Sequence, residues 1–347
     1  MKNVAVIGYG GQGAWHCSQI ADSDVVTLSG IYDVKEARRR AAENNGIHVY
    51  SSNEEIFDDK NVDIVVVATP NDVHLELVKK ALLSGHNVIC EKPVALSVKD
   101  FEEMLNAEKE SGKRLSVHQN RRWDVDYLAV KNVIESKNIG DVLRIESHIM
   151  GSRGIPSDWR GNKEYGGGML YDWGVHLIDQ MLMLIPEKIT SVNCVTTHYT
   201  NDEVDDGFRL ELGFISGKTA LIEVGTYNFI STHRFYMLCK EGTMLHPNWR
   251  VKGKVAKLKK WVEKDVTPIQ NAAGITKTMA HRDEKTLDYY EVEIPNADVH
   301  DFYRNFCDSI DMKCEQFIKN SEVKRVLSVI EAAFLSDESK QIIHTLI

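Results

Sequence analysis

The chain has 347 residues and a mass of 39.3 kDa, and at about 150 residues per domain this length predicts two domains, each with its own core. Its 42 basic and 51 acidic residues give a net charge of −9 and a pI near 5.8, which argues against a nucleic-acid binder without excluding a local basic patch. The longest apolar runs are far shorter than the about 20 residues that cross a bilayer, so we expect neither a membrane span nor a membrane partner.

Short apolar strands and helices alternate through residues 1–121. The first strand, Val4–Ile7, is a continuous apolar run, which is typical of a parallel strand covered on both faces. Five more strands are predicted, namely Val25–Tyr32, Ile47–Tyr50, Asp63–Ala68, Asn87–Cys90 and Arg114–His118. Helices fit between them, among them Asp72–Leu83 and Ser97–Glu110, the second with Ser97 as its cap. The alternation predicts an open, doubly wound parallel sheet, to which we assign residues 1–121.

A glycine-rich turn joins the first strand to the first helix. Its spacing is G-x-G-x-x-G, in which the first glycine permits a tight turn, the second lets a pyrophosphate approach the backbone, and the third lets helix and strand pack closely. The unpaired N–H groups at the helix start favour phosphate binding. The predicted dinucleotide-binding residues are Gly8, Tyr9, Gly10, Gly11, Gln12 and Gly13. The alternative interpretation is a glycine-rich turn without a ligand.

Asp33 ends the second strand, 20 residues after Gly13. A carboxylate at this point can accept hydrogen bonds from both ribose hydroxyls of NAD and would repel a 2′-phosphate, so it favours NAD over NADP. Lys35, Arg38 and Arg39 lie just beyond and could neutralise a phosphate, or they could simply form a solvated helix face. The sequence therefore predicts NAD and leaves NADP open.

Polar residues follow the fourth, fifth and sixth predicted strands. Ligands of such sheets lie at the carboxyl ends of the strands, so we expect these residues to border the cofactor. They are Thr69, Pro70, Asn71 and His74 after the fourth strand, Glu91 and Lys92 after the fifth, and Asn120 after the sixth. Taken alone, Thr69–Asn71 could be only the turn before a helix.

Lys92 directly follows a buried strand and precedes a proline, and it should face the cofactor crevice. A lysine in this place can polarise a carbonyl or stabilise a developing alkoxide. An ordinary lysine would instead be a solvated surface charge.

Longer alternating segments follow Arg122, and we assign residues 122–347 to a second, α+β domain. The predicted strands are Val142–Met150, Ile189–Tyr199, Phe208–Ile215, Lys218–Tyr227 and His233–Lys240, and the predicted helices are Trp123–Ser136, Tyr171–Leu184, Asp298–Ile310 and Glu322–Ile343. Ser216 and Gly217 fit a two-residue hairpin loop, so the sheet should be mainly antiparallel. The stretch 247–291 has poor periodicity, and we interpret it as an insertion or a long loop.

Three glycines, at 166–168, precede a helix that carries Asp172 and His176. Residues four apart share one helix face, and histidine is the side chain best suited to proton transfer near neutral pH. Asp179 could support the imidazole or lie at the helix surface. The alternative is that Asp172 only complements the helix dipole and that His176 is structural.

The six cysteines are scattered and form no C-x-x-C pair, so no zinc site or redox dithiol is predicted. The apolar stretch Val4–Ile7 is too short for a signal peptide. We therefore expect a reducing, cytoplasmic location.

The motifs G-Y-G-G-Q-G, A-T-P-N-x-x-H, E-K-P and G-G-G-x-x-x-D-x-G-x-H-x-x-D together resemble the glucose–fructose oxidoreductase / inositol dehydrogenase (Gfo/Idh/MocA) family over essentially the whole chain. The resemblance implies a Rossmann domain, a second domain with an open-faced antiparallel sheet, a nicotinamide cofactor, and homodimers or homotetramers formed through that sheet. The run His118–Asp124 is similar to a bacterial subgroup that includes scyllo-inositol dehydrogenases, whose members often use NADP.

The resemblance also implies roles for individual residues. The family's catalytic lysine, aspartate and histidine correspond to Lys92, Asp172 and His176. The histidine would take the substrate hydroxyl proton, the lysine would tune it, and the aspartate would hold the sugar or the imidazole. The residues that match positions bordering substrate or nicotinamide are Arg121, Asp158, Trp159 and Arg160. The Lys92–Pro93 peptide bond is expected to be cis, as in many relatives.

The leading hypothesis from the sequence is an oxidoreductase that moves a hydride between a nicotinamide cofactor and a secondary alcohol of a sugar, inositol or related polyol. One alternative is a regulatory protein that senses dinucleotides without catalysis. The other is an NAD-dependent glycosidase, which oxidises its substrate transiently to assist bond cleavage.

Overall fold

Two large β-sheets organise the chain in the computed structural model, which describes residues 1–259, 268–271, 273–279, 281–282 and 284–347. The first sheet is parallel and has five strands in the order β2-β1-β3-β4-β5. Its elements in chain order are β1 (Lys2–Ile7), α1 (Gly11–Ala21), β2 (Val26–Tyr32), α2 (Glu36–Asn44), α3 (Asn53–Asp58), β3 (Ile64–Val67), α4 (His74–Leu83), β4 (Asn87–Cys90), α5 (Val98–Ser111) and β5 (Leu115–Val117).

The predicted doubly wound parallel sheet is confirmed. All residues of β3 and β4 are buried, as expected for apolar strands covered by helices on both faces. The Ser97 hydroxyl accepts a hydrogen bond from the Asp100 N–H at 3.0 Å and caps α5. The predicted helix Asp72–Leu83 begins as a short 3-10 turn, Asn71–Val73, before α4.

The predicted strand Ile47–Tyr50 is wrong. Only Val49 makes a single parallel bridge, to Ile31 at the sheet edge. The register of β2 against β1 jumps from Leu28 to Gly30, so Ser29 forms a bulge and the edge beyond it is irregular. One such bridge cannot extend the sheet, which therefore has five strands rather than six.

The second sheet has nine strands in the order β15-β12-β11-β10-β6-β9-β8-β7-β16, and every pair is antiparallel except β6 with β9. The helices and strands that follow β5 are α6 (Val125–Ser136), β6 (Val142–Met150), α7 (Val175–Leu184), β7 (Ile189–Thr197), β8 (Gly207–Phe214), β9 (Thr219–Gly225), β10 (Phe235–Cys239), β11 (Gly242–His246), β12 (Gly253–Leu258), β13 (Ile269–Asn271), β14 (Gly274–Thr276), β15 (Leu287–Val292), α8 (His300–Ile310), α9 (Asn320–Ser339) and β16 (Ile343–His344).

The interpretation of residues 247–291 as an insertion or long loop is wrong in part. Strands β12 and β15 pair with each other and extend the large sheet, and β13 with β14 forms a small hairpin. In β12 Val255 is buried while Lys254 is exposed, and four consecutive residues of edge strand β15 are exposed, so the apolar signal was weak. Residues 260–267 of this stretch lie outside the described residues.

Two smaller predictions also need correction. The hairpin loop between β8 and β9 has three residues, 215–217, because Phe214 pairs with Lys218 and Gly217 takes a φ of +86°. The last helix ends at Ser339 rather than Ile343, because Lys340 adopts a left-handed conformation with a φ of +53°. The chain then adds the short strand β16 beside β7. No helix in the described ranges is long and apolar enough to cross a bilayer.

Candidate active site

The glycine-rich turn before α1 has the geometry that its spacing predicts. A Cβ atom on Gly13 would lie 1.9 Å from the Gly8 carbonyl oxygen, and one on Gly8 would lie 2.4 Å from that of Ala68. Gly8 also has a φ of +95°, a conformation that favours glycine. These two glycines therefore allow the turn, α1 and the end of β3 to pack closely.

Gly10 and Gly11 instead border open space, since a Cβ atom on either would meet nothing within 4 Å. Helix α1 begins at Gly11 without a side-chain cap. Within the described part of the chain, the N–H groups of Gly11, Gln12 and Gly13 have no hydrogen-bond partner. An open cradle with free N–H groups at a helix start fits the diphosphate of a dinucleotide.

Asp33 lies against the glycine-rich turn. One carboxylate oxygen accepts a hydrogen bond from the Tyr9 N–H at 2.7 Å, and the other accepts one from the Lys35 N–H at 2.8 Å. Of the neighbouring cations, Arg39 donates to the Asp33 carbonyl oxygen at 2.6 Å, while Arg38 is exposed. The carboxylate is thus fixed by backbone next to the glycine-rich turn, and each of its oxygens keeps a further lone pair for a ligand.

The residues after β3 connect different parts of the site. Pro70 is exposed, whereas Asn71 is buried and donates to the Gly166 carbonyl oxygen at 3.0 Å, joining the two domains. The imidazole of His74 lies 2.9 Å from the Pro93 carbonyl oxygen and 3.1 Å from that of Thr69. The Thr69 hydroxyl is buried with no partner in the described part of the chain. Asn71 and His74 therefore contact protein backbone, whereas the Thr69 hydroxyl is left without a partner among the described residues.

Glu91 is the centre of a buried hydrogen-bond network. Its Oε1 atom accepts from three groups, namely His118 Nδ1 at 2.8 Å, His16 Nε2 at 2.9 Å and Gln12 Nε2 at 3.1 Å. Burial raises the pKa of this carboxyl, but the two imidazoles outweigh burial and hold the pKa well below its usual range. Glu91 is thus an ionised anchor for the glycine-rich turn and the end of β5. Sequence reasoning missed His16, which is one helical turn beyond the glycines and carries no motif.

Lys92 and Asp172 form an ion pair between the two domains. The Lys92 ammonium donates to Asp172 Oδ1 and to the Asp172 carbonyl oxygen, both at 2.8 Å. Arg160 Nε lies 3.4 Å from the other carboxylate oxygen. Burial raises the pKa of Asp172, but Lys92 and Arg160 outweigh it and lower the pKa overall. The ammonium uses two of its three N–H groups here and has one left for a ligand. The Lys92–Pro93 bond is cis, as expected.

His176 is buried at the start of α7. Its Nδ1 atom lies 3.2 Å from Gln119 Oε1 and can donate to it, which leaves Nε2 as the acceptor. Burial, followed by the charges of Lys92 and Arg121, lowers the pKa of His176 well below its usual value. The imidazole is therefore neutral near pH 7 and presents an unprotonated nitrogen.

Two expected partners of His176 are not found. Asp172 is engaged by Lys92 and Arg160, so the imidazole is held by Gln119 instead. Asp179 neither supports the imidazole nor lies at the surface, because it is buried against Arg122. Gln119 was missed as an orienting residue, although it lies at the predicted end of β5 where such a partner could be sought.

Aromatic and guanidinium groups surround these residues. The Arg121 guanidinium lies 4.1 Å from the centre of the Trp173 ring, and the Arg160 guanidinium lies 4.5 Å from that of Trp159. Trp173 stacks on exposed Trp249 at 6.2 Å, which sequence reasoning missed because Trp249 falls in the stretch interpreted as an insertion. Asp158 caps the turn that carries Arg160, and Asn120 begins the turn after β5.

Comparisons with known proteins agree with this arrangement. The family model described as "Oxidoreductase family, NAD-binding Rossmann fold" matches residues 2–119, and that described as "GFO/IDH/MocA C-terminal domain" matches residues 127–245. The uncharacterized oxidoreductase C115.03 of Schizosaccharomyces pombe is 30% identical over 88% of this chain and 87% of its own. The scyllo-inositol 2-dehydrogenase (NADP(+)) IolW of Bacillus subtilis is 28% identical over 98% of this chain and 95% of its own.

A solved structure supports the same assignment. The crystal structure of an NAD-binding protein from Listeria innocua has 39% sequence identity and a TM-score of 0.96, with 99% of each chain covered. The match therefore includes both sheets. The chain belongs to the Gfo/Idh/MocA family of oxidoreductases, and its N-terminal part is the NAD-binding Rossmann domain of that family.

Proposed function

We propose that the protein reversibly oxidises a secondary alcohol of a sugar, inositol or related polyol. The observation that carries the proposal is the buried His176 imidazole, which contacts Gln119 just after β5. The charge of Lys92, which pairs with Asp172, helps to lower the pKa of His176 and keep the imidazole neutral. When bound there, a nicotinamide dinucleotide would supply the hydride acceptor or donor. The similarity to IolW supports an inositol-like substrate, because that relative is named as a scyllo-inositol dehydrogenase.

The two catalytic groups would have complementary tasks. His176 accepts the proton of the substrate hydroxyl at Nε2, while Gln119 holds the opposite side of the ring. The remaining N–H of Lys92 donates to the same oxygen and stabilises its developing negative charge. Asp172 positions the ammonium, which would explain why it contacts Lys92 and not the imidazole.

Substrate contacts are proposed for Arg121, Trp159 and Arg160, in addition to Asp172 and His176. The ring faces of Trp159 and Trp173 are each covered by a guanidinium. Of the two arginines, Arg160 lies 3.4 Å from Asp172, and the charge of Arg121 acts on His176. Polar guanidinium N–H groups can donate to polyol hydroxyls.

The cofactor preference follows from Asp33 and stays a prediction. Its carboxylate would accept hydrogen bonds from ribose hydroxyls and repel a 2′-phosphate, so NAD is expected to bind more tightly than NADP. Exposed Arg38 could reduce this preference, and IolW is named as an NADP(+) enzyme. Parallel fluorescence titrations with NADH and NADPH test the preference.

The decisive experiment compares the activities of two single variants, Lys92→Met and His176→Asn, with that of the parent protein. His198→Asn, which changes an exposed histidine, is the matched control. We expect either active-site change to lower kcat/KM for oxidation of inositols and sugars by about 10²–10⁴-fold. Dinucleotide affinity should remain near that of the parent protein, and the control should keep full activity. Full turnover in the His176 or Lys92 variant would refute the assigned roles.

Two outcomes would favour the alternatives. Dinucleotide binding without turnover of any polyol would support a regulatory protein that senses dinucleotides. Release of nitrophenol from aryl glycosides without net accumulation of NADH would support a glycosidase.

Assembly into homodimers or homotetramers through the large sheet, in the cytoplasm, remains part of the proposal. Helix α9 packs on one face of this sheet, where Ser336 and Asp337 contact β7. The other face presents polar side chains such as Arg144 and Arg209, which lie in its central strands. Light scattering on the intact protein measures the oligomeric state.

A further inference from the structure

Two histidines and two carboxylates meet on the face of the large sheet that lies away from α7. Glu146 and His148 are on β6, Glu223 is opposite His148 on β9, and His233 is just before β10. Ser147 points to the other face, where its hydroxyl contacts Arg234 and Arg234 in turn contacts Gln180 of α7. Because side chains alternate along a strand, Glu146 and His148 face away from α7. We call Glu146, His148, Glu223 and His233 the sheet-face cluster.

The spacing of the cluster suits a small cation. Glu146 Oε2 lies 3.4 Å from His148 Nε2 and 3.7 Å from His233 Nε2, and the three atoms lie within 4.8 Å of one another. In a tetrahedral zinc site with ligand bonds of about 2.0–2.1 Å, neighbouring ligand atoms are roughly 3.3 Å apart. The Nε2 atom of His233 is also buried without a hydrogen-bond partner in the described part of the chain.

The orientation of the ligands is fixed by outer partners. His148 Nδ1 lies 3.2 Å from Glu223 Oε2 and can donate to it, which leaves the Nε2 lone pair facing Glu146 and His233. Arg144 Nε lies 3.0 Å from Glu146 Oε1, which leaves Oε2 for the centre of the cluster. A carboxylate behind a histidine is the arrangement that orients histidine ligands in metal sites.

A second His/Glu group in the described part of the chain, around Glu91, lacks this spacing. In the Glu91 network the imidazole nitrogens lie only 2.8 and 2.9 Å from Glu91 Oε1, which are ordinary hydrogen-bond lengths. Tyr303 occupies the other nitrogen of His16 at 2.6 Å. The Glu91 network is therefore held together by short hydrogen bonds, although His118 Nε2 is buried without a partner in the described part of the chain. In the sheet-face cluster, by contrast, Glu146 Oε2 lies 3.4 and 3.7 Å from the two imidazole nitrogens.

We propose that Glu146, His148 and His233 bind one divalent transition-metal ion of the Zn²⁺ type, with Glu223 positioning His148. Two imidazoles and one carboxylate suit Zn²⁺, Co²⁺ or Ni²⁺ better than Mg²⁺ or Ca²⁺, which prefer oxygen ligands. A fourth position is left for water or for a group from outside the chain. The ion would fasten the segment before β10 to β6. It would lie on the opposite face of the sheet from α7, which carries His176, so its role is separate from the hydride-transfer chemistry.

The test uses the intact protein after removal of metal with a chelator. Zn²⁺ is titrated by calorimetry and Co²⁺ by visible absorption, and the melting temperature is recorded with and without Zn²⁺. We expect one saturable ion per chain, a four-coordinate Co²⁺ spectrum and a Zn²⁺-dependent rise in melting temperature. His233→Gln and Glu146→Gln should lose this ion, and Glu223→Gln should weaken it by about 10–100-fold.

His198→Gln, which changes an exposed histidine outside the cluster, should bind Zn²⁺ as the parent does. Each variant is also titrated with NADH, because a misfolded variant would lose NADH binding. A variant that fails this check is replaced in the comparison by His148→Gln. Absence of saturable Zn²⁺ binding in the parent would overturn the proposal. So would equal binding by the parent and by a folded His233→Gln protein.

Discussion

The protonation state of His176 depends on groups that come from three separate segments of the chain. Burial in α7 removes the imidazole from water, and the positive charges of Lys92 and Arg121 oppose its protonation further. Gln119 contributes no charge but fixes the ring through Nδ1. An imidazole arranged in this way stays unprotonated at pH values below the usual histidine pKa of about 6.5. This property suits a general base that must be unprotonated before the substrate binds.

The pH dependence of catalysis should report this arrangement. If His176 is the base, kcat/KM for polyol oxidation should fall with decreasing pH only below about 6.5. Arg121→Met removes a positive charge near the imidazole, so protonation becomes easier, the pKa of His176 rises and the acid limb moves to higher pH. Profiles of kcat/KM against pH for the parent and the variant measure this shift.

Arg209→Met serves as the control, because Arg209 is exposed and pairs with Glu211 on β8. It should leave the acid limb in place even if the rate changes slightly. An acid limb that stays fixed or moves to lower pH in Arg121→Met would contradict the electrostatic account of His176.

At the scale of single elements, apolar patterning predicted the secondary structure best where strands are buried. The bounds of β6 were predicted correctly, and β3 and β4 were found because every residue in them is apolar or buried. Edge elements carry less of this signal, which is why β15 was missed. The apolar residues of Ile47–Tyr50 predicted a strand, but only Val49 makes a bridge to the irregular edge at β2. The motif residues Lys92, Asp172 and His176 could be selected from the sequence. Their pairing could not, because the partner of each lies in a distant segment.

The glycine-rich turn allows a direct test of what each glycine does. Gly13→Ala would place a Cβ atom 1.9 Å from the Gly8 carbonyl oxygen, so α1 must move, and we expect a loss of about 1–3 kcal/mol in the free energy of unfolding. Gly10 has a φ of −80° and open space around it, so Gly10→Ala should keep its stability within about 0.5 kcal/mol. Its added methyl group would fill the space left for a diphosphate and weaken dinucleotide binding.

Urea unfolding and NADH titration of both variants separate the two effects. The assignment of Gly10 to the ligand side of the turn fails if Gly10→Ala binds NADH as tightly as the parent. It also fails if Gly10→Ala is destabilised as much as Gly13→Ala.

At the scale of the whole molecule, a buried ion pair joins the end of the first sheet to the helices of the second domain. Arg122 follows β5 and donates to both carboxylate oxygens of Asp179 on α7, at 2.8 and 2.6 Å. It also contacts Glu322 of α9 at 2.8 Å. Arg122 and Asp179 are almost completely buried, whereas the Glu322 side chain is 33% exposed. The pair thus sets α7, and with it His176, relative to the strand ends that carry the glycine-rich turn and Lys92.

Breaking this pair should cost more stability than the loss of an exposed carboxylate. Asp179→Asn leaves the Arg122 guanidinium buried without its main counter-charge, and we expect a loss of about 3–5 kcal/mol in the free energy of unfolding. Glu322→Gln removes a partner that water can partly replace, so its cost should be about 1 kcal/mol or less. Urea unfolding of both variants, monitored by tryptophan fluorescence and circular dichroism, measures the difference in the free energy of unfolding. Equal losses of stability in the two variants would mean that the partly exposed Glu322 holds Arg122 as firmly as Asp179 does. Asp179 would then not be the residue that fixes α7 against the first sheet.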